Sequence, residues 1–466
     1  MKTIMKTVLG AAYAAGIAMT VSADCRNLAP LDRGIVPARP EAVENWRNLR
    51  FGMFIHWGPV SLSGREIGWS RGKQVPVEEY DSLYKRFNPV RFNADEWVAA
   101  AKAAGMKYIV LTTKHHEGFC MWDTDTTDYK ITNTEFGRDV VREFVDACRR
   151  ADMRVGFYFS IIDWRHPDFM IDRTHPLFKH LPPGKDLAEQ VAKANEGRDM
   201  ARYRKYMFSQ IEELLTRYGK IDIIWFDYVC KADFGKSWRD YDSVEIIKLA
   251  RRLQPQCIVD SRLDLMETDD GWDFVTPEQV KAAEWPMVRG RRVPWETCQT
   301  FSGSWGYHRD QATWKSVPQL VELLSETVSK GGNLIMNVGP TARGTFDDRA
   351  MDRLAGFAKW MRYNSRSIYG CTIAPEGFSA PNGTALTYNP AAKALYVHLY
   401  DYPMGFLPLD FYEKVQYAQF LHDGSELMVR SPLKHHGQSG ETKDVGGVVL
   451  PIVKPDVVVP VVELFL

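Results

Sequence analysis

The sequence predicts an α/β protein: a (β/α)8-like TIM barrel followed by a C-terminal antiparallel β-sandwich domain. Three observations carry this expectation. From about residue 94 onward, amphipathic helical stretches alternate with short, almost wholly apolar runs. Polar and aromatic residues collect just after these runs, where a parallel barrel displays its chemistry. Beyond Tyr369-Gly370 the helical periodicity stops, and short strands separated by turns such as Asn382-Gly383 and Asp423-Gly424 take over.

In chain order, residues 1–23 read as an export signal. Lys2 and Lys6 open it, an apolar run covers 8–21, and Val21-Ser22-Ala23 offers a small-x-small cleavage site. The run is shorter than the ~20 residues of a membrane span, so no membrane span is expected and the destination is periplasmic or secreted. Cys25 follows, but Asp24 before it is a poor match to the small residue that lipoprotein attachment favours.

Residues 24–368 are assigned to the barrel. Residues 50–55 form an early strand, and the later units pair helix 94–104 with strand 108–111, 139–151 with 155–159, 198–218 with 221–226, and 244–253 with 258–259. The last unit joins helix 318–329, Gly331-Gly332 and strand 333–338 to a helix over 349–364. Strands apolar on both faces and separated by helices imply a parallel sheet. No glycine-rich dinucleotide turn follows any strand, which favours a barrel over an open doubly wound sheet. The seventh and eighth strands are not individually visible, so closure is inferred. Residues 369–466 form the β domain, with strands expected over 394–400, 415–421 and 457–464.

Lys plus Arg and Asp plus Glu number 59 each, which leaves no net field to hold nucleic acid or anionic lipid. Aromatic content of 12%, with 14 Trp, provides flat apolar faces of the kind a sugar ring packs against. The seven cysteines, at 25, 120, 148, 230, 257, 298 and 371, include no close pair of metal-ligand spacing. An odd count requires no disulfide.

The strand ends supply the candidate chemistry. His56 and Trp57 follow the first strand; His115, His116 and Glu117 follow the second, with Trp122 close behind. Tyr158, Ser160, Asp163 and Trp164 mark the third, Trp225 and Asp227 the fourth, and Arg262 the fifth, before a carboxylate-rich stretch with Asp273, Glu278, Glu284 and Glu296. A metal-dependent hydrolase would need converging ligands. His115 and His116, adjacent at a strand exit, are expected to point in opposite directions, so no metal is expected. A glycosidase instead needs two carboxyl groups with rings and imidazoles to hold hydroxyls.

Several stretches carry a family resemblance: Phe51-Gly52-Met53-Phe54-Ile55-His56-Trp57-Gly58, Thr113-Lys114-His115-His116-Glu117-Gly118-Phe119, Gly156-Phe157-Tyr158-Phe159-Ser160 and Trp225-Phe226-Asp227. Together with Gly331-Gly332-Asn333 through Asn337-Val338-Gly339-Pro340, they resemble, in order, signatures of the α-L-fucosidases of glycoside hydrolase family 29. The resemblance implies a retaining double displacement on terminal α-L-fucose of an oligosaccharide or glycoconjugate, with no metal and no organic cofactor. It puts Asp227 at the nucleophile position and His56, His115, His116, Tyr158, Trp225 and Arg262 around the sugar. The family's Glu-Trp-Tyr pattern is replaced here by Glu66-Ile67-Gly68-Trp69-Ser70-Arg71; Glu66 is carried over as a hydroxyl ligand and Trp69 as a pocket aromatic. Glu278, in Trp272-Asp273-Phe274-Val275-Thr276-Pro277-Glu278, is the expected acid/base and Glu296 its rival. Two alternatives stand beside this reading: a non-catalytic fucose- or glycan-binding barrel, and a retaining glycosidase for a related sugar such as an L-galactoside.

Overall fold

The computed structural model describes residues 34–184, 186–228, 233–266, 271–431 and 446–466. The expected export signal, its cleavage site and Cys25 lie outside them, as does Cys230. The chain opens the barrel with β1 (Phe51–Ile55), β2 (Tyr108–Lys114), β3 (Arg154–Ser160), β4 (Ile223–Asp227) and β5 (Ile258–Val259). A separate hairpin of β6 (Met287–Val288) and β7 (Arg291–Arg292) precedes β8 (Glu296–Thr300) and β9 (Asn333–Val338). The parallel sheet runs β5-β4-β3-β2-β1-β9-β8.

The eighth stave is the segment 274–278, which joins β5 to β8 through isolated parallel bridges of Asp260 with Phe274, Val275 with Trp295 and Glu278 with Cys298. Backbone bonds from Val275 to Gln279 tie it to the β8 side, and side chains brace the β5 edge. The Asp273 carboxylate accepts from Val259 N at 2.7 Å, and that of Asp260 accepts from Phe226 N at 3.0 Å. The seventh strand escapes an apolar-run search because it reads Glu-Thr-Cys-Gln-Thr, yet all five residues are buried.

All residues of β1, β2, β4 and β9 are buried, as strands covered on both faces must be. Inward side chains including Phe54, Tyr108, Val110, Tyr158, Trp225, Phe274 and Ile335 fill the barrel's centre. Gly52 is required there: a Cβ would sit 2.2 Å from the Tyr108 ring. The covering helices start where a side chain takes up free N–H groups. Asp139 caps Val140–Arg150, Asp199 caps Met200–Arg217, and Ser316 with Gln319 forms a capping box on Val317–Ser329.

After helix Asp348–Asn364 the second domain forms a six-stranded sheet and a three-stranded one. In chain order its strands are β10 (Thr372–Ile373), β11 (Thr384–Asn389), β12 (Ala394–Leu399), β13 (Phe406–Pro408), β14 (Tyr417–Phe420), β15 (Glu426–Leu427), β16 (Val429–Arg430), β17 (Gly447–Val449) and β18 (Val461–Phe465). Leu395, Val397 and Leu399 of β12 face the sandwich core with Leu407, Phe411 and Val448. Ala394 and Tyr396 of the same strand join the barrel's outer cluster. Trp360 Nε1 donates to Val459 O at 3.1 Å, and Arg366 pairs with Glu463 at 2.6 Å, across the same junction.

Candidate active site

Side chains alternate along a strand, so every second residue faces the barrel axis. In β4, Trp225 lies deep and Asp227 is last; in the adjacent register of β3, Tyr158 sits beside Trp225 and Ser160 beside Asp227. The same rim receives His56 from β1 and Asn337 from β9.

Asp227 is buried but has a polar partner on each oxygen. Tyr158 Oη donates to Oδ2 at 2.6 Å, and Arg262 Nη1 donates to Oδ1 at 2.9 Å. Burial and the neighbouring Asp227 charge push the Tyr158 phenol up, so it stays a donor. The guanidinium is itself fixed, with Nε donating to Thr276 Oγ1 at 2.8 Å. Its Nη2 meets Glu278 Oε2 at 2.8 Å, and the Glu278 side chain is 43% exposed. One cation therefore bridges an enclosed carboxylate and one open to solvent.

Three imidazoles complete the pocket. Asn337 Nδ2 donates to Trp305 O at 2.6 Å, which turns its Oδ1 toward His56 Nδ1, 2.6 Å away; His56 Nδ1 must carry the proton. His115 Nδ1 faces the Glu117 carboxylate at 3.1 Å. His116 Nδ1 meets Ser160 Oγ at 2.8 Å, while that hydroxyl donates onward to Ile162 O. His56 and His116 each turn Nε2 away from these partners. Burial, reinforced by the neighbouring His115, holds His56 and His116 well below the usual histidine range, and both are neutral acceptors at neutral pH. His116 Nε2 lies 3.8 Å from Asp227 Oδ2. Hydrogen-bond acceptors grouped beside a carboxylate and ringed by aromatics are suited to a neutral polyhydroxylated ligand. Among the described residues no group of three or more His, Cys, Asp or Glu is arranged to hold a metal ion.

A sequence profile of the α-L-fucosidase family matches residues 36–366. The chain belongs to the α-L-fucosidase family. Human plasma α-L-fucosidase is 29% identical over 384 residues, covering 76% of this chain and 75% of its own. Among solved structures, α-L-fucosidase isoenzyme 1 from Paenibacillus thiaminolyticus superposes with a TM-score of 0.81 at 38% identity, over 91% of this chain and 98% of that one. A family 29 α-L-fucosidase from Bacteroides thetaiotaomicron, trapped as a covalent intermediate with 2-fluoro-fucosyl fluoride, gives 0.76 at 26% identity, over 94% and 99%.

Within this α-L-fucosidase fold, the structure brings His56, His115, His116, Tyr158, Asp227, Arg262 and Glu278 together. Trp69 stands with them, its ring 5.4 Å from His116 and 5.2 Å from Trp164. Four expectations need correction. His115 and His116 do not diverge: they lie beyond the end of β2, where strand alternation no longer applies, and their rings are 4.1 Å apart. Trp225 forms the floor under Arg262, and its N–H is directed at Glu296 Oε1, 3.1 Å away, so its polar edge is not available to a sugar hydroxyl. Glu296 is enclosed within the barrel, bonded to Tyr108 Oη and Trp225 Nε1, and burial pushes it up to about 8. Glu66 turns away from the pocket, and its oxygens accept from Ile67 N, Ser304 Oγ, Trp305 N and Gly306 N at 2.7–2.9 Å.

Two residues of the α-L-fucosidase pocket were not singled out from sequence. Trp305, 5.0 Å from His56, follows the polar strand β8, and Asn337 lay inside a quoted motif without an assigned role. Trp305 could be found only once β8 was recognised, whereas Asn337 lies near the end of the expected strand 333–338.

Proposed function

We propose that this protein hydrolyses terminal α-L-fucosides of oligosaccharides or glycoconjugates by double displacement, with Asp227 as nucleophile and Glu278 as acid/base. The single observation that carries the assignment is Arg262, which holds Asp227 on one amino group and Glu278 on the other. A retaining enzyme needs carboxyls about 5–5.5 Å apart, and a planar guanidinium carrying one carboxylate on each amino group holds two of them at a separation of that order.

In the first step Asp227 bonds to the anomeric carbon as the glycosidic oxygen leaves with a proton from Glu278. The nucleophile's charge disappears into the ester. Arg262 then faces Glu278 alone, and Glu278 takes a proton from the incoming water. Attack of that water at the same carbon releases fucose of unchanged configuration and restores Asp227. The Nε2 atoms of neutral His56 and His116 accept hydroxyl protons of the sugar, with the His115 ring beside them. Trp69, Trp164 and Trp305 supply apolar wall. Membership of the α-L-fucosidase family does not favour a non-catalytic glycan-binding barrel or an L-galactosidase.

The test is the anomer formed first from an aryl α-L-fucoside, followed by proton NMR, together with mass spectrometry of the protein labelled by a 2-fluoro fucosyl fluoride. Initial α-fucose and a label on Asp227 are expected; initial β-fucose, or a label elsewhere, overturns the assignment. We also place the activity outside the cytoplasm on the strength of residues 1–23. Edman sequencing of the mature protein should then begin at Asp24.

A further inference from the structure

Glu66 is the one expected sugar ligand whose oxygens are already taken. Oε2 accepts from Ser304 Oγ at 2.7 Å and Trp305 N at 2.8 Å, while Oε1 accepts from Gly306 N at 2.7 Å and Ile67 N at 2.9 Å. An ionised carboxylate has about four acceptor sites, so a sugar hydroxyl could bind only by displacing a loop.

The local sequence explains why Glu66 turns this way. Ile67, inserted between Glu66 and the pocket Trp69, is drawn into a small apolar cluster with Val60, Val75, Tyr80 and Leu83. Gly68 then turns the chain at φ +63°, donating to Tyr80 Oη at 2.8 Å, in a place where a Cβ would lie 2.6 Å from His115 Nδ1. Trp69 reaches the pocket while Glu66 faces the loop after β8. That loop is packed without slack: a Cβ on Gly339 would lie 2.4 Å from the Gly306 carbonyl carbon. Trp305 O accepts from Asn337 Nδ2, and Asn337 Oδ1 fixes His56 Nδ1. An unbroken chain of hydrogen bonds thus runs from Glu66 through the Trp305 backbone and Asn337 to His56.

We infer that Glu66 is a positioning residue that fixes the Trp305 loop and, through Asn337, the ring of His56, and that it does not itself bind the sugar. The inference rests on the proposed fucosidase reaction. Glu66→Gln keeps the shape but turns one acceptor into a donor facing N–H or O–H groups, which breaks part of the clamp.

The experiment measures kcat and KM of wild type, Glu66→Gln, Asn337→Ala and the double variant on an aryl α-L-fucoside and on its 2-, 3- and 4-deoxy analogues. Glu66→Gln should lower kcat/KM by about tenfold or more, and any deoxy penalty it weakens should be one that Asn337→Ala weakens too, that of the hydroxyl held by His56. The double variant should be no worse than Asn337→Ala by more than about threefold, because Asn337 lies on the path from Glu66 to His56. A deoxy penalty that collapses toward unity in Glu66→Gln but survives in Asn337→Ala would show direct contact with that hydroxyl and overturn the inference; so would multiplicative losses in the double variant. Failure of the wild type to cleave any fucoside would instead refute the proposed function. If Glu66→Gln does not fold, Ser304→Ala removes one clamp donor and is read by the same deoxy series, with the same two outcomes.

Discussion

Glu296 meets the Tyr108 and Trp225 side chains in the barrel interior, whereas Asp227 meets a cation, a phenol and the pocket, and these surroundings separate two acids that look alike in sequence. Asp227→Ala should lower turnover by about a thousandfold or more while the protein stays folded, read by steady-state rates and circular dichroism. Glu278 and Glu296 are separated by leaving-group dependence. Glu278→Ala should lose far more rate on a fucosyl oligosaccharide than on an aryl fucoside with an acidic phenol, which departs without a proton; Glu296→Gln should lose similar factors on both. Glu296 has a stability signature as well. Its folded value of about 8 lies above the ordinary 4.5, so between these values the folded state binds more protons than the unfolded one, and its contribution is lost as pH rises through about 8. The neutral buried histidines act oppositely but only below their ordinary 6.5. From pH 6.5 to 8 the wild type should therefore lose about 1.4 kcal/mol per pH unit from this group, and Glu296→Gln should show a shallower slope in denaturant titrations. Which residues meet in the pocket was legible wherever a motif fixed position, as at Asp227 and Arg262. It failed at Glu66, because a carboxylate's orientation depends on a loop 238 residues away in sequence.

Among elements, apolar strands such as β2 and β4 could be read directly, and a buried polar strand could not. β8 is stabilised by what its polar groups meet: Glu296 by Tyr108 and Trp225, and Thr300 Oγ1 by the Gln279 amide. None of these partners is near in sequence, so periodicity alone carries no trace of them. The long excursion after β3 shows the same dependence. Asp172 in it forms a buried ion pair with Lys236 at 2.6 Å, and Lys236 also donates to Met170 O. Asn195 closes the excursion by two hydrogen bonds to the Ile171 backbone. Removing one member of a buried pair strands the other, so Asp172→Ala should destabilise the fold by about 3 kcal/mol in urea titrations and raise amide exchange across residues 165–199. The anchoring makes this excursion a built wall beside Trp164, whose carbonyl accepts from His175 Nε2 at 3.0 Å.

For the molecule as a whole, the two-part architecture was readable from the change in texture near residue 369, but the intimacy of the parts was not. β12 is buried on both faces, with Leu395, Val397 and Leu399 in the sandwich, Ala394 and Tyr396 in the barrel's outer cluster, and the His398 ring 6.2 Å from Trp360 of helix Asp348–Asn364. Tyr400 Oη reaches Ser325 Oγ at 2.9 Å on the same contact. A chain ending at residue 368 would bare that apolar face, and it should be recovered mainly in the insoluble fraction, where the full chain is soluble, in a centrifugation assay. The stave at 274–278 has a different consequence. Its backbone bonds tie it to the β8 side from Val275 to Gln279, with no N–H to give at Pro277, and Glu278 lies on the bridge just beyond that gap. The proposed acid/base therefore stands on backbone hydrogen-bonded to the β8 side, while Asp227 ends β4, and Arg262 spans the two.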